Sequence, residues 1–221
     1  MEILSRIGVL LLAYIIGSIP FGLIIVKLST GKDLRSIESG RTGGTNAMRA
    51  AGAWAGVATG ILDVIKGIAA VFISHVLVPG NHVWLDVLAP ILAIIGHNFS
   101  VFLIERNENG WMRFRGGAGG APCLGGSIGL WFPSLFIILP LAGIIYYFIG
   151  YASITTLSMA LLSALIFIIR AWLGLDPWQY SIYGLLAFAV LAWSLRPNLK
   201  RLAEGNERVV GLRARKQGIK H

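Results

Sequence analysis

The stretch "SIESGRTGGTNAMRAAG", Ser36 to Gly52, decides how this chain is interpreted, because it separates two long apolar segments, residues 4–28 and 53–78. Glycines let backbone N–H groups approach an anion, and hydroxyl and amide groups add directed donors. Arg41 and Arg49 add planar guanidinium groups that match phosphate or carboxylate. A glycine-rich loop of this kind can also be no more than a tight turn. The sequence therefore raises the question of whether an anion site lies between two segments that are apolar enough to cross a membrane.

Composition places the chain among membrane proteins. Of its 221 residues, 56% are hydrophobic and only 13% are charged, with a mean hydropathy of +0.74. A soluble domain of this length needs more charge to cover its surface. We therefore predict an all-α, polytopic membrane protein that forms a single membrane-embedded domain over residues 1–221. The first apolar segment is too long for a signal peptide and is predicted to be a transmembrane helix.

Seven stretches are apolar enough, or nearly so, to cross a bilayer, which takes about 20 residues. They are residues 4–28, 53–78, 83–104, 118–132, 133–151, 153–174 and 177–195. The fourth is the weakest because it is rich in glycine.

The distribution of lysine and arginine predicts the orientation. With seven spans, 16 of the 19 basic side chains fall on the side that holds the C-terminal tail. Arg6 and Arg170 fall on the other side, and Lys66 lies within a span. The positive-inside rule then places the C-terminus in the cytoplasm and the N-terminus outside. The net charge of +9 is thus explained by topology, and no nucleic-acid partner is predicted.

Polar, glycine-rich segments collect on the predicted cytoplasmic face. They are residues 29–52, 96–119, the junction around Ser153, and 196–207. Irregular polar backbone at this depth is tolerated where it lines a cavity, so we predict a site that opens to the cytoplasm. The alternative is that these segments are ordinary hydrophilic loops.

Each segment has a structural alternative beside its functional one. His97 can act in chemistry or only anchor a helix end, whereas Arg115-Gly116-Gly117 offers a cation and exposed N–H groups, as a second anion site would. Ser153 can face substrate or cap a helix. The basic segment 194–211 can anchor on lipid headgroups.

Two ionisable residues lie inside the second predicted span. Asp63 and Lys66, at positions i and i+3, are predicted to form an intrahelical pair, with a direct role on substrate as the alternative. The four histidines are scattered, and no metal site is predicted.

Taken together, these motifs resemble those of the bacterial integral-membrane acyl-phosphate:glycerol-3-phosphate acyltransferases. The loop is similar to the family pattern S-G-N-x-G-A-T-N followed by arginine, and "GHNFSVFL" with "RGGAGGA" is similar to G-H-x-F-P-V-F-L and K-G-G-K-G-V-A. "YIIGSIPFG", "LDVIKG", "ASITT" and "RPNLKRLAEGNE" match further pieces in the same order. The resemblance covers nearly the whole chain and includes the count of seven spans.

The resemblance implies transfer of a fatty acyl group from acyl phosphate to the 1-hydroxyl of glycerol 3-phosphate. The product is lysophosphatidic acid, an early intermediate of phospholipid synthesis. It implies no metal, no cofactor and no covalent enzyme intermediate. We expect a monomer in the bacterial cell membrane, in contact with the lipid bilayer, with its active site facing the cytoplasm. By position, Ser39, His97, Ser153 and Asn198 are expected to be catalytic. The expected substrate-binding residues are Gly40, Arg41, Gly43, Thr45, Asn46, Arg49, Arg115, Gly116 and Gly117.

The chain departs from the family pattern where the chemistry is expected. Arg41 replaces an asparagine, Ala118 replaces a lysine, Ser194-Leu195 replaces an Arg-His pair, and about ten additional residues surround "ERNENGWMR". Losing one charge-assisted hydrogen bond costs ~1.5–3 kcal/mol. One hypothesis is that Arg41 or Arg113 compensates. The alternatives to the parent reaction are a changed donor or acceptor, or an inactive protein that binds lipid or phosphate.

Overall fold

The computed structural model describes residues 2–80, 82–106 and 109–218. Within these ranges the chain forms eleven helices and one short hairpin. The helices are α1 (Glu2–Ser18), α2 (Phe21–Thr30), α3 (Gly44–Ala51), α4 (Ala53–Leu77), α5 (Val83–Asn98), α6 (Gly120–Leu130), α7 (Ser134–Ile144), α8 (Ala152–Trp172), α9 (Gln179–Ser194), α10 (Arg196–Ala203) and α11 (Gly211–Lys216). Single 3₁₀ turns follow α2 (Leu34–Ser36) and α5 (Val101–Leu103), and a π-helical turn, Ile145–Ile149, extends α7.

Among the described residues, four helical stretches are long and apolar enough to cross a membrane. They are Glu2–Thr30, Ala53–Leu77, Val83–Leu103 and Ala152–Trp172. A fifth results if α9 and α10, which are bent by 68° at their junction, count as one span. These five match the first, second, third, sixth and seventh predicted spans. The count of seven spans and the orientation of the termini stay predictions.

The remaining two predicted spans, 118–132 and 133–151, correspond to shorter helices. Helix α6 has 11 residues, which at 1.5 Å per residue is about 16 Å, roughly half of a bilayer's hydrocarbon core. Its glycines explain its place in the fold. A methyl group on Gly125 would overlap the Val64 carbonyl of α4, and one on Gly67 of α4 would overlap the Pro122 carbonyl. Glycine at both positions lets the two helix backbones touch.

A break divides the first span into α1 and α2 at Ile19 and Pro20. Proline cannot donate a backbone hydrogen bond, so helices are interrupted near it. The Ile19 carbonyl accepts hydrogen bonds from the Phe21 N–H, over 3.1 Å, and from the Lys66 ammonium group of α4. Because Gly17 has no side chain, α1 also packs directly on the backbone of Ala93 in α5.

The apolar core lies between α5, α8 and α9. Val87 and Ile94 of α5 pack with Phe167 of α8 and with Tyr183 and Leu191 of α9, and all five are almost completely buried. The Tyr183 hydroxyl donates to the carbonyl of Cys123 over 2.6 Å, which ties α9 to α6. This packing holds the half-length helix α6 against the long ones.

The prediction of an all-α chain is wrong in one place, the segment around "ERNENGWMR". Strands β1 (Ile104–Arg106) and β2 (Met112–Phe114) pair as an antiparallel hairpin, with Glu105 opposite Arg113. Residues 107 and 108 of that segment lie outside the described residues. The strand residues are a mixture of apolar and charged side chains that are mostly exposed, and Gly110 takes a positive φ of 77° in the turn.

The C-terminal tail returns to the π-helical turn. The Val210 N–H donates to the Gly150 carbonyl over 2.9 Å, and Arg213 Nε donates to the Ile149 carbonyl over 2.7 Å. These contacts place Glu207 and Arg208 at the mouth of the cavity described next.

Candidate active site

The four polar segments identified in the sequence meet at one cavity of about 390 Å³. Its walls are the first turns of α3, α6 and α8, the end of α5, and the junction of α9 with α10. Apolar residues of α3, α4 and α8, among them Met48, Val57 and Met159, complete the lining. The cavity is thus polar where helices begin and apolar along the helix sides.

Three helix N-termini face this cavity without side-chain caps. Gly43, Gly119 and Tyr151 precede α3, α6 and α8, and none of them gives the helix a capping hydrogen bond from its side chain. The first N–H groups of a helix need a partner and carry the positive end of the helix dipole. Three such ends at one cavity create a strong preference for an anion such as phosphate.

Arg49 adds a full positive charge to the same cavity. It lies in the last turn of α3, is partly buried, and lines the cavity wall. Within the described part of the chain it forms no ion pair with a carboxylate, in contrast to Arg35, Arg115 and Arg201. Its guanidinium therefore remains available for a ligand's phosphate group.

His97 extends into the cavity from the last turn of α5, and its Nδ1 faces Asp63 of α4. Asp63 Oδ1 lies 3.5 Å from His97 Nδ1 and 2.8 Å from Lys66 Nζ. The Asp63 and Lys66 side chains are only 2% exposed. The predicted intrahelical pair is therefore confirmed, and it extends to a histidine on the neighbouring helix. With Nδ1 facing the carboxylate, His97 Nε2 is the ring nitrogen without a hydrogen-bond partner in the described chain, and the Gly117 backbone lies against it.

A glycine loop packs against the other edge of His97. The Gly117 N–H donates to the His97 carbonyl over 2.8 Å, and the Thr42 N–H donates to the Gly116 carbonyl over 3.2 Å. A methyl group on Gly117 would overlap the His97 imidazole. The segment thus needs glycine so that its backbone can lie directly beside the ring.

Arg41 binds together three polar segments. Its Nη1 donates to the Gly117 carbonyl over 2.8 Å, and its Nη2 donates to the Ser194 carbonyl over 2.7 Å and to Asn198 Oδ1 over 3.0 Å. Burial and the charge of Arg201 lower the pKa of Arg41 to about 10, against the influence of Glu207. It still carries its charge at neutral pH. Arg41 therefore brings a cation to Ser194, where the family pattern has an arginine.

Two predicted site residues use their amides to hold loops together. Asn46 Nδ2 donates to the carbonyls of Leu34, Ile37 and Arg41 at 2.9–3.2 Å. Asn198 Nδ2 donates to Glu207 Oε1 over 2.8 Å, and its Oδ1 accepts from Arg41. Both amides shape the cavity wall.

Ser153, in contrast, is free to act on a ligand. It is 1% exposed, lies in the first turn of α8, and its Oγ has no hydrogen-bond partner in the described chain. A buried hydroxyl without a partner is costly, which a ligand at this position would relieve. The capping role considered for Ser153 is absent, since α8 has no side-chain cap.

Most residues expected from the sequence lie in or beside the cavity. The lining includes Ser39, Arg41, Gly43, Thr45, Asn46, Arg49, His97, Ser153 and Asn198. Gly40, Arg115 and Gly116 line a neighbouring cleft. Ala118 and Leu195, which replace the family lysine and histidine, also face the cavity. Asp63 was missed as a site residue because its contact with His97 is tertiary; its signal was a carboxylate inside an apolar span.

Comparison with known proteins gives matches along nearly the whole chain. The family model described as glycerol-3-phosphate acyltransferase matches residues 7–205. The glycerol-3-phosphate acyltransferase of Rhodopseudomonas palustris strain HaA2 is 38% identical over 207 residues, which is 93% of this chain and 95% of that one. A glycerol-3-phosphate acyltransferase of Thermus thermophilus is 34% identical over 211 residues, 95% and 98% of the two chains.

A solved structure has the same fold. The crystal structure of PlsY, an integral membrane glycerol 3-phosphate acyltransferase, in its glycerol 3-phosphate form, superposes with a TM-score of 0.78. The two sequences are 26% identical, and the match covers 98% of this chain and 100% of that one. The lysophosphatidic acid form gives a TM-score of 0.75. The chain is therefore an integral membrane acyltransferase and belongs to the glycerol-3-phosphate acyltransferase family.

Proposed function

We propose that this protein transfers a fatty acyl group from acyl phosphate to the 1-hydroxyl of glycerol 3-phosphate and so forms lysophosphatidic acid for phospholipid synthesis. One observation carries the proposal: three uncapped helix N-termini, the free Arg49 and His97 face one cavity. Two phosphate groups and a hydroxyl must meet in this reaction, and the cavity offers groups for all three.

The helix N-termini suit the phosphate of the donor. The N–H groups that begin α6 and α8 lie at Gly120 and Ser153, beside the apolar lining from Val57 and Met159. A phosphate at these N–H groups leaves the acyl chain free to extend along the apolar wall. An amphiphile with a phosphate head and a hydrocarbon tail fits this combination of surfaces.

Arg49 and Ser39 suit the phosphate of the acceptor. Both line the cavity on the side of α3 and its preceding loop, and Arg49 supplies the fork that binds phosphate oxygens. Binding this phosphate at one end directs the glycerol hydroxyls toward the interior, where His97 lies.

His97 is then placed to act on the attacking hydroxyl. Its Nε2 accepts the proton of the 1-hydroxyl as the oxygen attacks the acyl carbonyl carbon, while Asp63 stabilises the imidazolium. A new C–O bond to glycerol forms, the C–O bond to phosphate breaks, and the phosphate leaves with the bonding electron pair. The imidazolium returns its proton to the departing phosphate. Ser153 Oγ and the helix N–H groups stabilise the negative charge on the carbonyl oxygen and the leaving group.

The altered motifs are compatible with this reaction. Ala118 and Ser194 stand where the family pattern has cations. Arg41 supplies a positive charge at this part of the cavity wall in their place. Its donors are occupied by carbonyl and amide oxygens, so it acts through position and long-range charge. We further propose a cell-membrane location, a monomer, and a cavity open to the cytoplasm, in line with the distribution of basic residues.

The test is phosphate release from palmitoyl phosphate by the purified protein in lipid, with and without glycerol 3-phosphate. We expect release that depends on glycerol 3-phosphate, with lysophosphatidic acid formed in equal amount. His97→Gln should reduce turnover by about 10²–10⁴-fold, whereas Arg215→Gln, in the exposed tail, should leave it unchanged. Release only with another polyol phosphate, or only from an acyl thioester donor, would replace the proposed substrates. No release from a folded protein would refute the activity.

A further inference from the structure

A second cavity of about 640 Å³ lies next to the active-site cavity, and its lining is dominated by arginine. Its walls come from the loop before α3, the hairpin with the segment that follows it, and the junction of α9 with α10. We call it the arginine cleft. The arginines that line it are Arg35, Arg41, Arg113, Arg115, Arg196 and Arg201.

The charge of the arginine cleft is not cancelled by its neighbours. Glu38 is the single carboxylate in its described lining, and it is paired with Arg208. Arg35 pairs with Asp33 and shares Glu105 with Arg115, and Arg201 pairs with Glu207. Arg113 and Arg196 have no carboxylate partner among the described residues. A cleft lined by one sign of charge concentrates ions of the opposite sign.

One residue in the lining of this cleft has an unsatisfied polar side chain. Asn98 lines it and is only 4% exposed, yet neither its Oδ1 nor its Nδ2 has a hydrogen-bond partner within the described residues. A buried amide with no partner is unfavourable. Both amide atoms are shielded from the cleft, since the side chain packs against Gly119 at the start of α6, so the arginines and not Asn98 are the groups that bind an anion there.

Arg41 separates the arginine cleft from the active-site cavity. Ser39, Arg41 and Asn198 line both spaces, and the Arg41 guanidinium closes the wall between them by bonding Gly117, Ser194 and Asn198. An anion in the cleft is therefore one side chain away from the groups that act on the acceptor.

We propose that the arginine cleft is a second phosphate site, which binds a small water-soluble phosphomonoester before it enters the active-site cavity. The proposal rests on the proposed function in naming the acceptor, glycerol 3-phosphate, as the natural occupant. Arg113 and Arg196 are the residues that recruit it. The cleft has few apolar lining groups for a hydrocarbon chain, with Phe99, Phe114 and Trp193 at its edges, so a free phosphomonoester suits it better than a lipid.

The direct test measures binding of inorganic phosphate by equilibrium dialysis at low ionic strength, with the full chain in a neutral detergent. Wild type should bind two phosphates per chain, and the double variant Arg113→Gln/Arg196→Gln should bind one. Arg106→Gln removes a charge from the same hairpin outside the cleft and should still bind two. The double variant Arg113→Lys/Arg196→Lys should restore the second phosphate in part.

Kinetics give a second readout. The double Gln variant should raise the KM for glycerol 3-phosphate about tenfold, as expected for two exposed charges, with unchanged kcat and unchanged KM for acyl phosphate. The binding test needs no turnover, so its result tests the proposed phosphate site even if the protein does not catalyse the proposed reaction. One phosphate in wild type, an equal loss in Arg106→Gln, or a second phosphate displaced by anionic lipid but not by glycerol 3-phosphate would overturn the proposal.

Discussion

The buried pair of Asp63 and Lys66 allows its structural and catalytic roles to be separated by mutation. The two side chains are 2% exposed and 2.8 Å apart. Removing one partner leaves a buried charge alone, which costs about 3–5 kcal/mol, a large share of the roughly 5–15 kcal/mol that typically stabilises a folded protein. Asp63→Leu and Lys66→Met should therefore each unfold the protein at a much lower temperature.

The double variant Asp63→Leu/Lys66→Met should recover most of this loss, because it removes both charges together. The remaining cost is that of the Ile19 carbonyl, which loses one of two donors and keeps the Phe21 N–H, about 0.5–1.5 kcal/mol. Activity should not recover. Without the carboxylate, His97 loses the group that fixes its Nδ1 proton, and kcat should stay about 10²-fold below wild type.

Cys123 provides the assay for stability. It is the only cysteine in the chain and is completely buried, so a thiol-reactive fluorophore reports unfolding as temperature rises. Acyl transfer is measured on the same samples at a temperature where all variants are folded. If the double variant is no more stable than the single ones, the two charges are not coupled. If its activity returns with its stability, Asp63 acts only in folding.

Three further predictions concern the cavity wall. Gly117→Ala should lower kcat about 10²-fold, since the new methyl group displaces His97, whereas Gly143→Ala, with open space around it, should be neutral in acyl-transfer assays. Arg49→Gln should raise the KM for glycerol 3-phosphate about 10- to 150-fold, the loss of one charge-assisted phosphate contact, and Arg49→Lys should lie between the two. Asn46→Ala should reduce the free energy of unfolding by about 2 kcal/mol, because the carbonyls of Leu34, Ile37 and Arg41 each lose one donor.

Each of these has a distinct contrary result. Full activity in Gly117→Ala would mean that the glycine loop can move away from the imidazole. An unchanged KM with reduced kcat in Arg49→Gln would place Arg49 at the transition state and not at the bound acceptor. Normal stability in Asn46→Ala would show that the loop before α3 is held by other contacts.

The location of the site could be predicted because its signals are local. Glycine and hydroxyl residues between apolar spans, at Ser39–Asn46 and Arg115–Gly117, indicated where the chain leaves helical structure, and these segments do meet. The length of α6 could not be predicted, because the glycines that weaken its hydropathy act by packing on α4, a contact between segments far apart in the chain.

The different roles of the polar residues could also not be predicted from the sequence. Asn46, Asn198 and Ser153 are all short polar residues in matching motifs, yet the two amides are bonded to protein and the hydroxyl is free. The difference depends on which groups lie opposite each side chain in three dimensions: carbonyls for Asn46, and the Glu207 and Arg41 side chains for Asn198. The hairpin at Ile104–Phe114 was likewise hidden, since a segment of mixed charges and one glycine is as typical of a loop as of two short strands.

The break between α1 and α2 has a mechanical consequence. The Ile19 carbonyl that it exposes is bonded to Lys66, Lys66 is paired with Asp63, and Asp63 faces His97. A change in the angle between α1 and α2 moves the Ile19 carbonyl. Through Lys66 and Asp63, that movement changes the orientation of the His97 imidazole. The first span has many lipid-accessible apolar side chains, including Leu4, Leu11 and Ile15. The contacts at this break thus connect the part of the chain that meets the bilayer with His97, through residues that carry no reactive group themselves.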